Sequence, residues 1–155
     1  MRTRNEILAE LRLNNKNIAE IDGGDLIRVR KEGRLCGIYS VSADKFLVPM
    51  DFTGADPLKD PDKFLVWKIQ AGTHVFGILS VRTQKLLMPL EYDGIGQLTA
   101  DLFRFWRNRR FGLYSLSAQK EVLGPKYHSI ELEGDQLRLR EEGEDSPHLK
   151  ALAEI

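Results

Sequence analysis

The nine residues from Phe103 to Phe111, FRFWRNRRF, are the most site-like stretch of this chain. They hold four arginines interleaved with four aromatic rings. Aromatic rings beside guanidinium groups are a common means of binding single-stranded nucleic acid and other anionic partners. The segment 103–111 is therefore a candidate interface for nucleic acid or for protein.

The same segment also fits a β-hairpin. Alternation along a strand places Phe103 and Phe105 on one face. Arg104 and Trp106 then lie on the opposite face, residues 108–109 form a solvated turn, and the arginines make modest charge pairs. Tryptophans on such an outer face would suit a protein partner. The residues selected as a partner-binding face are Trp67, Arg104, Trp106, Arg107 and Arg109.

Three serines, Ser40, Ser80 and Ser115, recur at matching places and could suggest nucleophiles. A serine nucleophile needs a base within hydrogen-bond reach and a third group that orients the base. The sequence pattern predicts that no His or Asp recurs with these serines. We therefore expect their hydroxyls to bond neighbouring backbone groups instead.

Metal and cofactor chemistry find little support in the sequence. The three histidines, His74, His128 and His148, are far apart, and the single Cys36 cannot form a thiolate cluster. The glycine-rich phosphate motifs are missing from the sequence. We expect no metal, no cofactor and no catalytic residues, with an enzyme assembled from distant residues as an alternative.

The strongest pattern in the chain is an internal repeat. A Gly-Ile/Leu-x-Ser string returns three times, each time with a lysine eight residues after its glycine and an aromatic residue fifteen after it. A proline stands shortly before each aromatic. The strings lie at 37–40, 77–80 and 112–115, the lysines are Lys45, Lys85 and Lys120, the prolines are Pro49, Pro89 and Pro125, and the aromatics are Phe52, Tyr92 and Tyr127.

Each copy predicts three antiparallel strands joined by tight turns such as 31–33, because its apolar and polar residues alternate. The third strand ends at its proline, which cannot continue a ladder. A fourth copy opens at Asp135 but has no Gly-x-x-Ser strand. The predicted divisions of a single domain, 1–155, are a lead-in at 1–24, repeats at 25–62, 63–100 and 101–134, and a partial repeat with a helix at 135–155.

The two ends of the chain differ from the repeats. Thr3 and Glu6 have the spacing of a capping box, which predicts a short N-terminal helix. Ser146 followed by Pro147 predicts a second helix that closes the chain. The predicted fold is thus all-β, with three full repeats and a partial fourth in one continuous twisted sheet or open barrel and a short helix at each end. Such helices would cap the array.

Two repeated residue types have a structural interpretation. The recurring glycine indicates a backbone approach that a Cβ would obstruct. Tyr92 and Tyr127 are expected to pack their rings between copies and to hydrogen-bond through their hydroxyls.

The repeated pattern resembles the WG (KWG-like) repeats of bacterial proteins. The matching segments are 76–78 with 89–95 and 111–113 with 125–130. The first copy departs from the pattern, with Cys36 before its glycine and Phe52 where tyrosine is expected. The resemblance covers about 25–140, and it implies an all-β array used for binding, without catalytic residues.

Length and charge set further bounds. A chain of 155 residues with 42% hydrophobic content suits one domain with its own core. Lys plus Arg equals Asp plus Glu, 23 against 23, so binding to phosphate backbones in bulk is disfavoured. One cysteine fits a reducing compartment. No apolar stretch approaches the roughly 18 residues needed to span a bilayer, and the first residues show no hydrophobic signal core. We therefore expect a soluble, cytoplasmic protein.

These observations together predict a non-enzymatic protein-binding repeat module. A bacterial adaptor, or an immunity-type protein that inhibits a toxin, would fit a rigid β surface of this size. The partner is a protein of unnamed identity, no membrane is involved, and self-association is compatible with the uneven charge along the chain. The alternatives are nucleic-acid binding through 103–111 and an unrecognised enzyme.

Overall fold

The structure is a computed structural model that describes residues 2–15, 17–21, 24–31, 35–141, 143–144 and 146–155. Its helix α1 (Arg4–Asn14) begins at Thr3, whose side chain accepts a hydrogen bond from the Glu6 backbone N–H at 3.2 Å. The predicted N-terminal helix and its side-chain cap at Thr3 are confirmed. Among the described residues no helix is long and apolar enough to span a bilayer.

The rest of the described chain is mainly antiparallel β-structure in three sheets, ordered β1-β2-β3-β4, β5-β6-β7-β8 and β14-β13-β12-β11-β10-β9. The all-β prediction is confirmed, although the strands form three sheets instead of the one continuous sheet or open barrel that the sequence predicts. The strands are β1 (Asn17–Ile21), β2 (Leu26–Lys31), β3 (Leu35–Ser40), β4 (Lys45–Phe52), β5 (Gly54–Pro57), β6 (Lys63–Gln70), β7 (Thr73–Ser80), β8 (Lys85–Tyr92), β9 (Gly94–Gln97), β10 (Leu102–Arg107), β11 (Arg110–Ser115), β12 (Lys120–Glu133), β13 (Gln136–Glu141) and β14 (His148–Ala151).

Each full copy supplies three consecutive strands, β2 to β4, β6 to β8 and β10 to β12, as the sequence predicts. A short leading strand, β1, β5 or β9, pairs with the first strand of each copy and makes a fourth. Part of the turn predicted at 31–33 lies outside the described residues. The prediction that proline ends the third strand is wrong, because Pro49 and Pro89 lie within β4 and β8. The β3–β4 register shifts near Pro49, and a bulge is one of the few sheet positions that tolerate proline.

In the first and third copies the recurring glycine lies where the register shifts. Its predicted role is confirmed in all three copies. A Cβ added there would approach a carbonyl oxygen of the third strand more closely than real Cβ atoms do. From such a Cβ the distance would be 2.8 Å at Gly37 to Val48 O, 2.7 Å at Gly77 to Met88 O and 2.7 Å at Gly112 to Leu123 O.

The chain divides into two compact units, residues 1–74 with 78–86 and residues 75–77 with 87–155. In the first unit, Ile7, Leu8 and Leu11 of α1 pack with buried residues of β2 and β3, so the helix covers apolar surface of the first sheet. In the second unit, the buried cluster consists of Leu113, Leu123, Tyr127, Ile130, Leu137 and Leu139.

The predicted closing helix is wrong. His148–Ala151 form strand β14, which pairs antiparallel with β13, and only a 3₁₀ turn (Leu152–Glu154) follows. The local capping signal at Ser146 is overridden by the antiparallel pairing of residues 148–151 with β13. The fourth copy therefore has a second strand.

Candidate functional site

The arginine and aromatic segment is a hairpin, as its alternation predicts. Strands β10 and β11 are joined by Asn108 and Arg109, which both have left-handed φ values, 52° and 66°. Two left-handed residues define the type I′ turn, whose twist matches that of paired strands. The Asn108 backbone N–H donates to Asp93 Oδ2 at 2.9 Å, and both turn side chains are exposed.

The two faces of β10 are also confirmed. Phe103 and Phe105 are 1% and 0% exposed, whereas Arg104 and Trp106 are half-buried. The Trp106 ring meets Phe111 of the neighbouring strand edge-on, with 6.0 Å between ring centroids. The outer face of the hairpin is therefore an ordered aromatic surface.

Both tryptophans rest on a glycine of the leading strand. A Cβ at Gly94 would collide with the indole of Trp106, and a Cβ at Gly54 would collide with the indole of Trp67. The two rings thus occupy the same place in successive copies, as their sequence positions predict. A glycine without a side chain is what lets the indole lie directly on the backbone.

Arg104 bonds the part of β12 that pairs with β13 of the partial fourth copy. Its Nη1 donates to Ile130 O at 2.8 Å, and its guanidinium lies 5.0 Å from the Phe111 ring centre. Arg28, at the same repeat position, donates to Ala55 O at 3.2 Å. In both copies this arginine bonds the segment that pairs with the first strand of the next copy. The Arg104 side chain has this one hydrogen bond and the contact with Phe111, while its Nε is buried without a hydrogen-bond partner.

Arg107 is held by a cluster of charged and aromatic groups. Its guanidinium lies 4.8 Å from the Tyr92 ring centre, and its Nη2 lies 3.3 Å from Glu121 Oε2 and 3.5 Å from Glu91 Oε2. The Tyr92 hydroxyl donates to Glu121 at 3.1 Å, and its ring packs 4.5 Å from that of Phe105. Burial, with the charge of Glu121, raises the pKa of the Tyr92 phenol. The packing and hydrogen bonding predicted for Tyr92 are confirmed.

The cation over the aromatic ring recurs in other copies. Lys68 Nζ lies 5.3 Å from the Phe52 ring centre, in the place that Arg107 takes over Tyr92. In the fourth copy this place holds Glu141, which lies 3.2 Å from Lys126 Nζ. Lys126 in turn lies over the Tyr127 ring at 5.3 Å. Here the cation is the residue directly before the aromatic, and the contact between cation and ring is still present.

The repeated serines are engaged in structural clusters with aspartates. Each serine hydroxyl donates to an aspartate that also accepts a backbone N–H of the following turn, and the hydroxyl itself accepts another turn N–H. The Oγ to Oδ2 distances are 3.2 Å for Ser40 and Asp25, 2.8 Å for Ser80 and Asp62, and 2.7 Å for Ser115 and Asp101.

The prediction that no aspartate recurs with these serines is therefore wrong. The hydrogen bonds show that Asp62 is the equivalent of Asp25 and Asp101. The sequence prediction opens the second copy one residue later, at Lys63. The expectation that the hydroxyls satisfy backbone groups is confirmed by the Ala43 and Ala118 N–H groups, each 3.1 Å from a serine Oγ. Each aspartate thus accepts directly from the serine hydroxyl and from a backbone N–H of the turn, so the cluster holds the turn in place.

A second polar cluster lies beside α1 in the first unit. Arg2 Nη2 donates to Asp44 Oδ1 at 2.6 Å and to the Tyr39 hydroxyl at 3.0 Å, and Tyr39 donates to Asp44. The hydrogen bond from Arg2 lowers the pKa of the Asp44 carboxyl to about 2. Arg2 also pairs with Glu10 of α1, so the cluster ties the segment before the helix to the first repeat.

Two open grooves accompany these clusters. One of about 690 Å³ lies in the second unit, with Val122, Lys120 and Lys150 among its lining residues. The other, of about 300 Å³, lies between α1 and the first repeat. No group of three or more His, Cys, Asp or Glu side chains suited to a metal occurs among the described residues. Cys36 is fully buried, and burial raises the pKa of its thiol.

The five predicted interface residues divide by their surroundings. Arg109 is exposed, whereas the other four are half-buried and contribute to internal packing. Trp67 belongs to the first compact unit and the remaining four to the second. Sequence reasoning assigned no role at the hairpin to Glu121, Glu91 or Asp93. The places of Glu91 and Asp93 on either side of the repeated Tyr92 are the signal that links them to the hairpin.

Comparison with known proteins gives no family. No family profile matches the chain, and no curated protein is similar to it. The chain is weakly similar in structure to the computationally designed Ika4 protein, with 7% identity, a TM-score of 0.44 and coverage of 87% of this chain and 91% of that one. It is also weakly similar to KlHsv2 with loop 6CD replaced by a Gly-Ser linker, with 10% identity, a TM-score of 0.45 and coverage of 87% and 48%. A third likeness is to the extracellular domain of the putative hybrid two-component system BT3049 from B. thetaiotaomicron, with 14% identity, a TM-score of 0.41 and coverage of 89% and 20%. Likenesses at this level indicate no function.

Proposed function

We propose that this chain is a non-enzymatic protein-binding module and that the tip of the β10–β11 hairpin contacts the partner. The observation that carries the proposal is the contrast between Arg109 and its surroundings. Arg109 is exposed at the end of a rigid turn, while Trp106 and Arg107 beside it are already fixed by internal contacts. Arginine and tryptophan are enriched among the residues that dominate protein interfaces.

Rigidity favours binding because side chains that are already ordered lose little entropy on association. Arg107 is held between Glu91 and Glu121 over the Tyr92 ring. The Asn108 backbone is held by Asp93. A partner would therefore meet a preformed surface with one exposed guanidinium at its centre, which suits a carboxylate beside an apolar patch.

The nucleic-acid alternative is less well supported. Arg104 donates to a carbonyl oxygen and Arg107 lies against two carboxylates, so these guanidinium groups are already engaged. Proteins that neutralise phosphates need several available cations, and this chain has a net charge of zero. An enzyme is also disfavoured, because the recurring serine and aspartate groups serve to hold turns.

The finer parts of the proposal depend on sequence alone. They are a cytoplasmic location, membership of the WG repeats of bacteria, and a role as an adaptor or as an immunity-type inhibitor. All three agree with the rigid β module proposed above. The partner that is captured would decide between the last two roles.

The test is affinity capture from the lysate of the producing organism, with wild type and Arg109→Gly compared. Glycine suits the left-handed φ of 66° at this position, so the variant removes the guanidinium and keeps the turn. Arg82→Ala, which also removes an exposed arginine in a turn, is the matched control. We expect one protein to be retained by wild type and the control and lost by Arg109→Gly. Equal retention by all three would contradict the proposed interface.

A further inference from the structure

The fourth copy contains a degenerate form of the repeated Gly-x-x-Ser strand. In the third copy, Phe105 of β10 faces Gly112 of β11. In the fourth, Leu139 of β13 faces His148 of β14. Phe105 and Leu139 each lie four residues after the aspartate that opens their copy. His148 therefore occupies the place of the recurring glycine.

The end of β14 confirms this alignment. The Leu152 backbone N–H donates to Asp135 O at 3.0 Å, as the Leu116 N–H donates to Asp101 O at 3.0 Å. Ala151 lies in the place of the recurring serine, since it faces Gln136 as Ser115 faces the residue after Asp101. The fourth copy thus keeps the strand and its register but loses both signature residues.

A third strand would pair with the outer edge of β14, which has no partner strand among the described residues and is called its free edge below. In the sheet order β14 is the last strand, and β13 is its neighbour. In each full copy the third strand brings a carbonyl oxygen to 2.7 or 2.8 Å from where a Cβ on the glycine would be. A histidine has that Cβ and an imidazole beyond it. A third strand with the bulged geometry of the repeats cannot pair beside His148 without a clash.

We propose that His148 closes the free edge of β14 to strands of the repeat's own third-strand type, so that a second copy of this chain cannot extend the array there. An unpaired strand edge is a template for another chain, and proteins block such edges with residues that prevent pairing. In this chain the block consists of one substitution at the most constrained place in the repeat. The binding surface proposed at the β10–β11 hairpin is separate from this edge.

The experiment completes the fourth copy. A duplicate of residues 116–127, which are a turn and a third strand, replaces residues 152–155 of the full chain. The extended chain is made with His148, and also with His148→Gly and Ala151→Ser together. Amide hydrogen exchange is then measured on the added strand, with the exchange of β12 and β13 as a check that both proteins are folded.

We expect the added amides to exchange at least about a hundredfold more slowly in the double variant than beside His148, because only the glycine permits a stable ladder. Ala151→Ser alone, which keeps the histidine, is the matched control and should leave the added strand unprotected. Protection of the added strand beside His148 would overturn the proposal. Equal lack of protection in the glycine variant would overturn it as well.

Discussion

Replacing Gly94 by alanine should destabilise the protein through the tryptophan of the β10–β11 hairpin. The new Cβ would overlap the indole ring of Trp106, which rests directly on this glycine. Inserting a methyl group into a filled site forces side chains off their rotamers or shifts the backbone, at a cost of about 1–3 kcal/mol. For a chain of this length each kcal/mol lowers the midpoint of thermal unfolding by about 2–4 °C.

Gly96 offers a matched control in the same strand, β9. A Cβ at Gly96 would meet no heavy atom within 4 Å, so Gly96→Ala should change the free energy of unfolding by less than about 0.5 kcal/mol or raise it slightly. Urea unfolding of the two variants, followed by tryptophan fluorescence, gives both free energies.

A double-mutant cycle then assigns the cost to the ring. If Trp106→Val removes the indole, adding Gly94→Ala should cost much less than it does in wild type, with a coupling of about 1 kcal/mol or more. Equal stability of Gly94→Ala and Gly96→Ala would refute this reasoning. A cost of Gly94→Ala that does not depend on Trp106 would refute it too.

Two further predictions concern the polar clusters. Ser115→Ala removes a donor to Asp101 and should lower the free energy of unfolding by about 1–3 kcal/mol, whereas Ser117→Ala, which loses only the 3.2 Å contact between its exposed hydroxyl and Ser115 Oγ, should cost less; urea unfolding measures both. Because the hydrogen bond from Arg2 lowers the folded pKa of Asp44 to about 2, its stabilisation is present above pH 4 and is lost as the pH falls through about 2. The stability difference between wild type and Asp44→Asn should therefore shrink between pH 4 and 2, and a constant difference across that range would contradict the assignment.

Local patterns predicted the parts of the fold that local chemistry decides. The alternation at 103–106 gives the faces of β10, and the capping box gives the start of α1. The recurring glycine predicts a close backbone approach, which three carbonyl contacts confirm. In the first two cases the residues that determine the structure lie within a few positions of one another, and the glycine contacts recur at the same spacing in all three copies.

The sequence was less informative where distant segments meet. Ser146 carries a helix signal, but residues 148–151 instead pair with β13 and form β14. The aspartates of the serine clusters lie 14 to 18 residues before their serines. Opening the second copy at Lys63 instead of Asp62 displaces the repeats by one residue, so the recurrence of the aspartate is not seen in the sequence.

The candidate site was likewise predicted in its composition but not in its contacts. The arginines and rings of 103–111 are evident from the sequence. Glu121, which binds both Arg107 and Tyr92, comes from the third strand of the same copy and could not be assigned from spacing. These contacts separate the engaged guanidinium groups from the exposed side chain of Arg109.

The most direct test of the proposed binding hairpin is the dissociation constant of the captured partner for wild type, Arg109→Gly and Arg82→Ala, measured by titration calorimetry. A central interface arginine is worth about 2 kcal/mol or more, so Arg109→Gly should bind at least about thirtyfold more weakly while Arg82→Ala binds as wild type does. Equal dissociation constants for all three proteins would contradict the claim that the hairpin tip is the binding surface.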